Sequence, residues 1–160
     1  MSRRRSRALV LAAFSLAACH AFDRKPQVEV SAGDANLNTR WHATLASPHS
    51  LAGAVQMSGE ATMAPAPDGR TTVTLALANA TAGGLHPWQV RRGQCGADQG
   101  PLGAAAAYAP LRVGGDGRAT ASATLPVATP ADGPYFVSVQ ASSGNPGTVV
   151  ACGNLAPPTR

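Results

Sequence analysis

The chain is poor in the side chains that usually announce chemistry. Aromatic residues are 4% and charged residues 13% of its 160 positions. A core must therefore rest on Val, Leu and Ala, and few acids or bases are left over for catalysis. Gly-x-Ser-x-Gly does not occur, which removes one common hydrolase signature. No 11-residue stretch carries a 3.6-residue apolar stripe. Ala104–Ala107 is the only helix-prone run, and Pro101 and Pro110 confine it. Basic clusters interleaved with aromatics are also missing, so nucleic acid is not an expected partner.

What is present begins at the N-terminus. Arg3, Arg4, Arg5 and Arg7 precede an apolar run, Ala8 to Ala18, that is too short to span a bilayer and has the form of an export signal. It ends Leu16-Ala17-Ala18-Cys19, which matches the bacterial lipobox, in which a cysteine is acylated and becomes the new N-terminus. Residues 1–18 are thus expected to be a lipoprotein signal peptide, and Cys19 the lipid-bearing first residue that partners the membrane. Acyl chains contribute about 0.8 kcal/mol per buried CH₂, enough for stable anchoring when several share one residue. His20 stands where an Asp would retain the protein at the inner membrane, so the expected location is the outer membrane, facing the periplasm. His20 itself is expected to be solvated near the headgroups.

Removal of the signal leaves nine basic and eight acidic residues, a net charge near +1. Residues 19–40 hold few large apolar side chains and read as a lipid-anchored tether. Cys95 and Cys152 then remain in an oxidising compartment, where an even pair predicts one disulfide. Its loop of roughly 58 residues corresponds to about 4 kcal/mol on the chain-entropy model.

From Trp41 the pattern turns to period two, and residues 41–160 are expected to form one all-β domain. Thr72–Leu77 and Ala119–Leu125 alternate small or polar residues with apolar ones, as half-buried strands do. In Tyr135-Phe136-Val137-Ser138-Val139-Gln140 the Tyr and both Val residues share a face, and Thr148–Cys152 makes a closing strand. Asp68-Gly69, Asp116-Gly117 and Asp132-Gly133 lie between these runs and mark turns. Short strands separated by turns predict an antiparallel Greek-key β-sandwich or barrel.

Three segments carry a family resemblance. Gly84-Leu85-His86-Pro87-Trp88-Gln89-Val90-Arg91-Arg92-Gly93-Gln94-Cys95 resembles the Gly-x-His-x-x-His-Val-His-x-x-Gly-x-Cys segment of copper/zinc superoxide dismutases. Val149-Val150-Ala151-Cys152-Gly153 resembles their closing strand, which supplies the partner of that first cysteine. Tyr135–Gln140, followed by Asn145-Pro146-Gly147, resembles a strand of the chordin-type (CHRD) repeats, themselves dismutase-like sandwiches. The resemblance spans roughly residues 50–156 and implies a dismutase-like sandwich with a Cys95–Cys152 bridge.

The departures are as informative. Alternate strand residues project to one face, about 6–7 Å apart, a spacing that lets a His-x-His pair hold one metal ion. Here the two positions are Gln89 and Arg91, and the later family histidine is matched by Gln140. An amide oxygen is a weak ligand, and a guanidinium has no lone pair to give. Gln99–Val113 contains no His, Asp or Glu, so the acidic, His-rich zinc loop is missing as well. Neither a metal cofactor nor dismutase chemistry is expected.

The remaining candidates have ordinary readings. His86 matches a family histidine that is structural, and is expected to pack or hydrogen-bond; His42, His49 and His86 are the alternative ligands if a metal site has moved. Asp23, Glu29 and Asp34 lie in the tether, Asp68, Asp116 and Asp132 in turns, and Asp98 in a Gly-rich loop. Glu60 is expected on a strand, facing solvent. Arg91 and Arg92 point to opposite sheet faces; Arg91 either hydrogen-bonds with Gln89 across the vacated ligand positions or is a solvated edge arginine. Trp88 and Val90 face the core. The expected function is a non-catalytic envelope protein acting by binding or structure on an unidentified envelope partner or ligand. The alternative is a copper- or zinc-binding relative using other ligands.

Overall fold

The computed structural model describes residues 39–52 and 56–159. The expected signal peptide, Cys19, His20 and nearly all of the 19–40 tether lie outside the described residues. Among the described residues ten strands form: β1 (Trp41–Ala46), β2 (Ser58–Ala66), β3 (Arg70–Ala78), β4 (Leu85–His86), β5 (Trp88–Gln94), β6 (Ala97–Pro101), β7 (Leu111–Arg112), β8 (Ala119–Leu125), β9 (Tyr135–Ser142) and β10 (Asn145–Leu155). No α-helix forms among the described residues. The alanine run makes only a 3-10 turn, Ala105–Ala107, because the flanking prolines leave no room for a second turn of helix.

Eight strands join in one antiparallel sheet, in the order β6-β5-β9-β10-β1-β2-β3-β8, which curls into a half-barrel. β4 and β7 pair as a separate two-stranded ribbon. The chain crosses the sheet from β3 to β5 and again from β8 to β9, so that the β9–β10 hairpin lies between β5 and β1. This is the expected all-β, Greek-key arrangement.

Turn chemistry sets the register where strands are sequential. Asp68 and Gly69 take left-handed φ of 61° and 65° within the three-residue connection Pro67–Gly69, which the Arg70 N–H closes onto the Pro67 carbonyl. All nine residues of β2 are then matched, from Ser58↔Ala78 to Ala66↔Arg70. Asp116 accepts the Arg118 N–H at 3.1 Å just before β8. Asp132-Gly133 lies in the connection from β8 to β9.

The concave side holds the core. Trp41, Leu45, Met63, Val73, Leu75, Leu125, Val137 and Val139 reach it from alternating strand positions. The aromatics contribute bulk and have their polar ends satisfied. Trp88 meets Tyr108 edge-on at 5.1 Å and donates its indole N–H to the Ala109 carbonyl at 2.8 Å. The Tyr108 hydroxyl donates to the Leu102 carbonyl at 2.7 Å, and burial pushes this phenol up to about 12. Cys95 and Cys152 form the expected disulfide, with Cα atoms 6.1 Å apart, tying the β5–β6 turn to β10.

Candidate functional site

Trp88 and Val90 are fully buried in the core, so Gln89 and Arg91 project from the convex face of β5. The neighbouring strand places Ser138 opposite Gln89 and Phe136 opposite Arg91. Val137 and Val139 belong to the core, which puts Phe136, Ser138 and Gln140 on the same convex face as Gln89 and Arg91. The resemblance-matched positions Gln89, Arg91 and Gln140 therefore stand on one face of two adjacent strands.

Their contacts are specific. Arg91 donates from Nη1 to Gln89 Oε1 at 2.6 Å and from Nε to Asp98 Oδ2 at 2.7 Å. Its Nη2 also lies 2.7 Å from Asp98 Oδ2. The other carboxylate oxygen, Asp98 Oδ1, accepts the Gly100 N–H at 2.8 Å. The hydrogen bond from Arg91, aided by that amide, holds the Asp98 carboxyl below its ordinary value despite some desolvation. Arg91 is thus a tethered guanidinium with oxygen partners on two strands, and not a solvated edge arginine. Gln140 is buried and donates from Nε2 to Ser138 Oγ at 3.1 Å. No hydrogen bond joins its side chain to Gln89 or Arg91.

Asp98 is the residue that sequence reading misplaced. It belongs to strand β6, not to a loop, and its partner lies seven residues earlier across the hairpin. The signal was available in the spacing: the Cys95-Gly96 turn folds the chain so that an acid at 98 returns beside a base at 91. Gly residues on both sides hid it by making the segment look irregular. Gly93 and Gly100 both have left-handed φ, and the ladder slips between Arg91 and Gly93, as at a bulge.

His86 behaves as a packing histidine. It is buried and shares a hydrogen bond of 3.0 Å between Nδ1 and the Gln140 carbonyl; a carbonyl only accepts, so Nδ1 carries the hydrogen. Nε2 is buried without a partner among the described residues. A Cβ at Gly84 would lie 2.8 Å from it, so the ring is seated against a position that only glycine leaves open. His42 is exposed on the convex face of β1, and His49 is exposed in the 3-10 turn His49–Leu51. Glu60 is exposed on β2, as expected. Among the described residues, no three His, Cys, Asp or Glu side chains come together as a metal-binding group.

These residues do not suit a copper or zinc ion. At positions 89, 91 and 140 they offer two amides and a guanidinium, and the guanidinium is already engaged by a carboxylate. Such a site can hold its own hairpin together but has neither the imidazoles nor the open coordination position of redox copper. No protein-family model matches the chain, and no curated protein matches it.

Proposed function

We propose that this chain is a lipid-anchored protein of the bacterial envelope whose dismutase-like domain acts by binding or structure, and not by metal catalysis. One observation carries the reading: Arg91, at a position matched to a ligand histidine, is held by Asp98 and Gln89 and fills that position with a fixed positive charge. A cation there repels a second cation and leaves no lone pair for it. The anchoring half of the reading rests on the Leu-Ala-Ala-Cys lipobox after an arginine-rich start.

Metal analysis of the full chain tests the first half. The expected result is less than stoichiometric copper and zinc and no superoxide dismutation. Replacing Gln89, Arg91 and Gln140 together by His should create measurable metal affinity. A folded triple variant with none would show that the three positions do not converge. Stoichiometric metal in the native chain that disappears when His42, His49 or His86 is replaced would establish a relocated site instead. Lipid labelling tests the anchor. Cys19→Ala should abolish labelling and release the protein from the membrane, and unchanged retention would overturn that assignment.

A further inference from the structure

Among the described residues the half-barrel has two open edges, and they are built differently. At one end of the sheet, β6 carries the charge of Asp98, ends in Pro101, and pairs with β5 through a slipped register. Charge, proline and irregularity are the usual devices that stop a sheet edge from accepting another strand. At the other end, β8 has none of them. Its seven residues, Ala-Thr-Ala-Ser-Ala-Thr-Leu, contain no charge and no proline, and they match β3 one for one from Ala119↔Leu77 to Leu125↔Thr71. Parts of the 102–113 segment approach β8, yet among the described residues no backbone hydrogen bond joins β8 to anything but β3. Half of its amides and carbonyls therefore face outward unpaired, because successive residues of a strand direct these groups to opposite sides. Such groups are satisfied by an extended strand.

The strand also says which one. About Ser122 its sequence reads nearly the same in both directions: Ala121 mirrors Ala123, and Thr120 mirrors Thr124. A twofold antiparallel pairing about Ser122 brings residue 120 opposite residue 124 of the second copy, and this near-symmetry puts small uncharged side chains opposite like ones at those positions. We infer that β8 is a self-association edge, at which two copies of this chain pair antiparallel about Ser122 and continue the sheet across the twofold axis. In that arrangement Ser122 faces its own copy and Thr120 faces Thr124 of the second copy. All three side chains are exposed and uncharged, so nothing repels across the seam. The inference is independent of the metal question and of the anchor. A seven-residue edge contact is small, so the association is concentration-dependent.

The test uses the full chain in detergent micelles. Ser122→Cys should give a covalent dimer on mild oxidation, above the background of the unsubstituted chain. Thr74→Cys should not: it is equally exposed, but it lies one strand in from the edge, opposite Ser122. In the pair, two copies of that residue would be about 14 Å apart, three interstrand spacings. Ser122→Lys places like charges directly opposite and should weaken self-association by roughly tenfold or more, with the melting temperature of the monomer unchanged. A chain that stays monomeric at every attainable concentration overturns the inference. So does equal cross-linking at positions 74 and 122, which would mark random collision, or linkage of position 122 only to other proteins.

Discussion

Across β1, β2, β3 and β8 residues pair one for one, and exposed positions alternate with buried ones along the whole length of β1 and most of β3. Across β5, β6, β9 and β10 the ladder slips at three places, and β9 is buried at five successive residues, Phe136 to Gln140. The difference lies in what covers the convex face. On the first half that face meets water and is lined by Thr62, Thr74, Thr120 and Ser122. On the second, β9 meets protein on that face as well: Phe136 shares an apolar cleft with Pro48, Val149 and the disulfide, and farther along the strand buried Gln140 donates to buried Ser138. A strand with one wet face alternates; a strand with two dry faces cannot.

Substitutions sharpen this contrast. The largest effect is expected on the doubly covered strand: Phe136→Ala removes a side chain that is 3% exposed on the convex face and should cost about 3–5 kcal/mol in denaturant unfolding. A loss below about 1 kcal/mol, the range of surface changes, would show that this face is effectively wet. Next comes the bridge over the same face. Replacing Cys95 and Cys152 together by Ser should cost about 2–4 kcal/mol, measured by chemical denaturation against the oxidised chain.

Smaller effects follow at the polar contacts. Asp98 titrates below its unfolded value, so its pairing with Arg91 stabilises the fold at neutral pH and loses that contribution as acid protonates it below about pH 4. Because the carboxylate is 44% exposed, Asp98→Asn should cost at most about 1 kcal/mol at pH 7, and less at high salt. The same substitution should flatten the acid limb of the stability profile, and an unchanged limb would remove Asp98 from that role. On the open face, Thr74→Ala breaks a hydroxyl contact of 2.7 Å with Thr62 yet should stay within about 0.5 kcal/mol, since both groups can turn to water.

The same contrast explains what the sequence made legible. Thr72–Leu77 and Ala119–Leu125 were readable as strands because water decides their alternation, and the Asp-Gly pairs marked the turns. Tyr135, Val137 and Val139 showed the core face of β9, but the dry convex face beneath Ser138 and Gln140 was invisible. Its cover comes from segments distant in sequence, including Pro48 and the disulfide. The Gln89–Arg91 contact was readable from i, i+2 geometry on one strand. The carboxylate that fixes it was not, because Asp98 reaches Arg91 through a bulged hairpin whose glycines resemble a loop.

The placement of the β9–β10 hairpin bears on how the chain assembles. β1–β2–β3 can form from neighbours in sequence, and so can β5–β6, but these two sheets share no ladder. They are joined only when the last long hairpin enters between β5 and β1 and pairs with both. Contacts of such long sequence separation are slow to form, because the intervening chain must be ordered first. The hairpin is a keystone: residues 135–155 supply the only ladders that connect β1–β2–β3–β8 to β5–β6 among the described residues. The Cys95–Cys152 disulfide, whose second cysteine lies within that hairpin, locks the keystone onto one of the halves it joins.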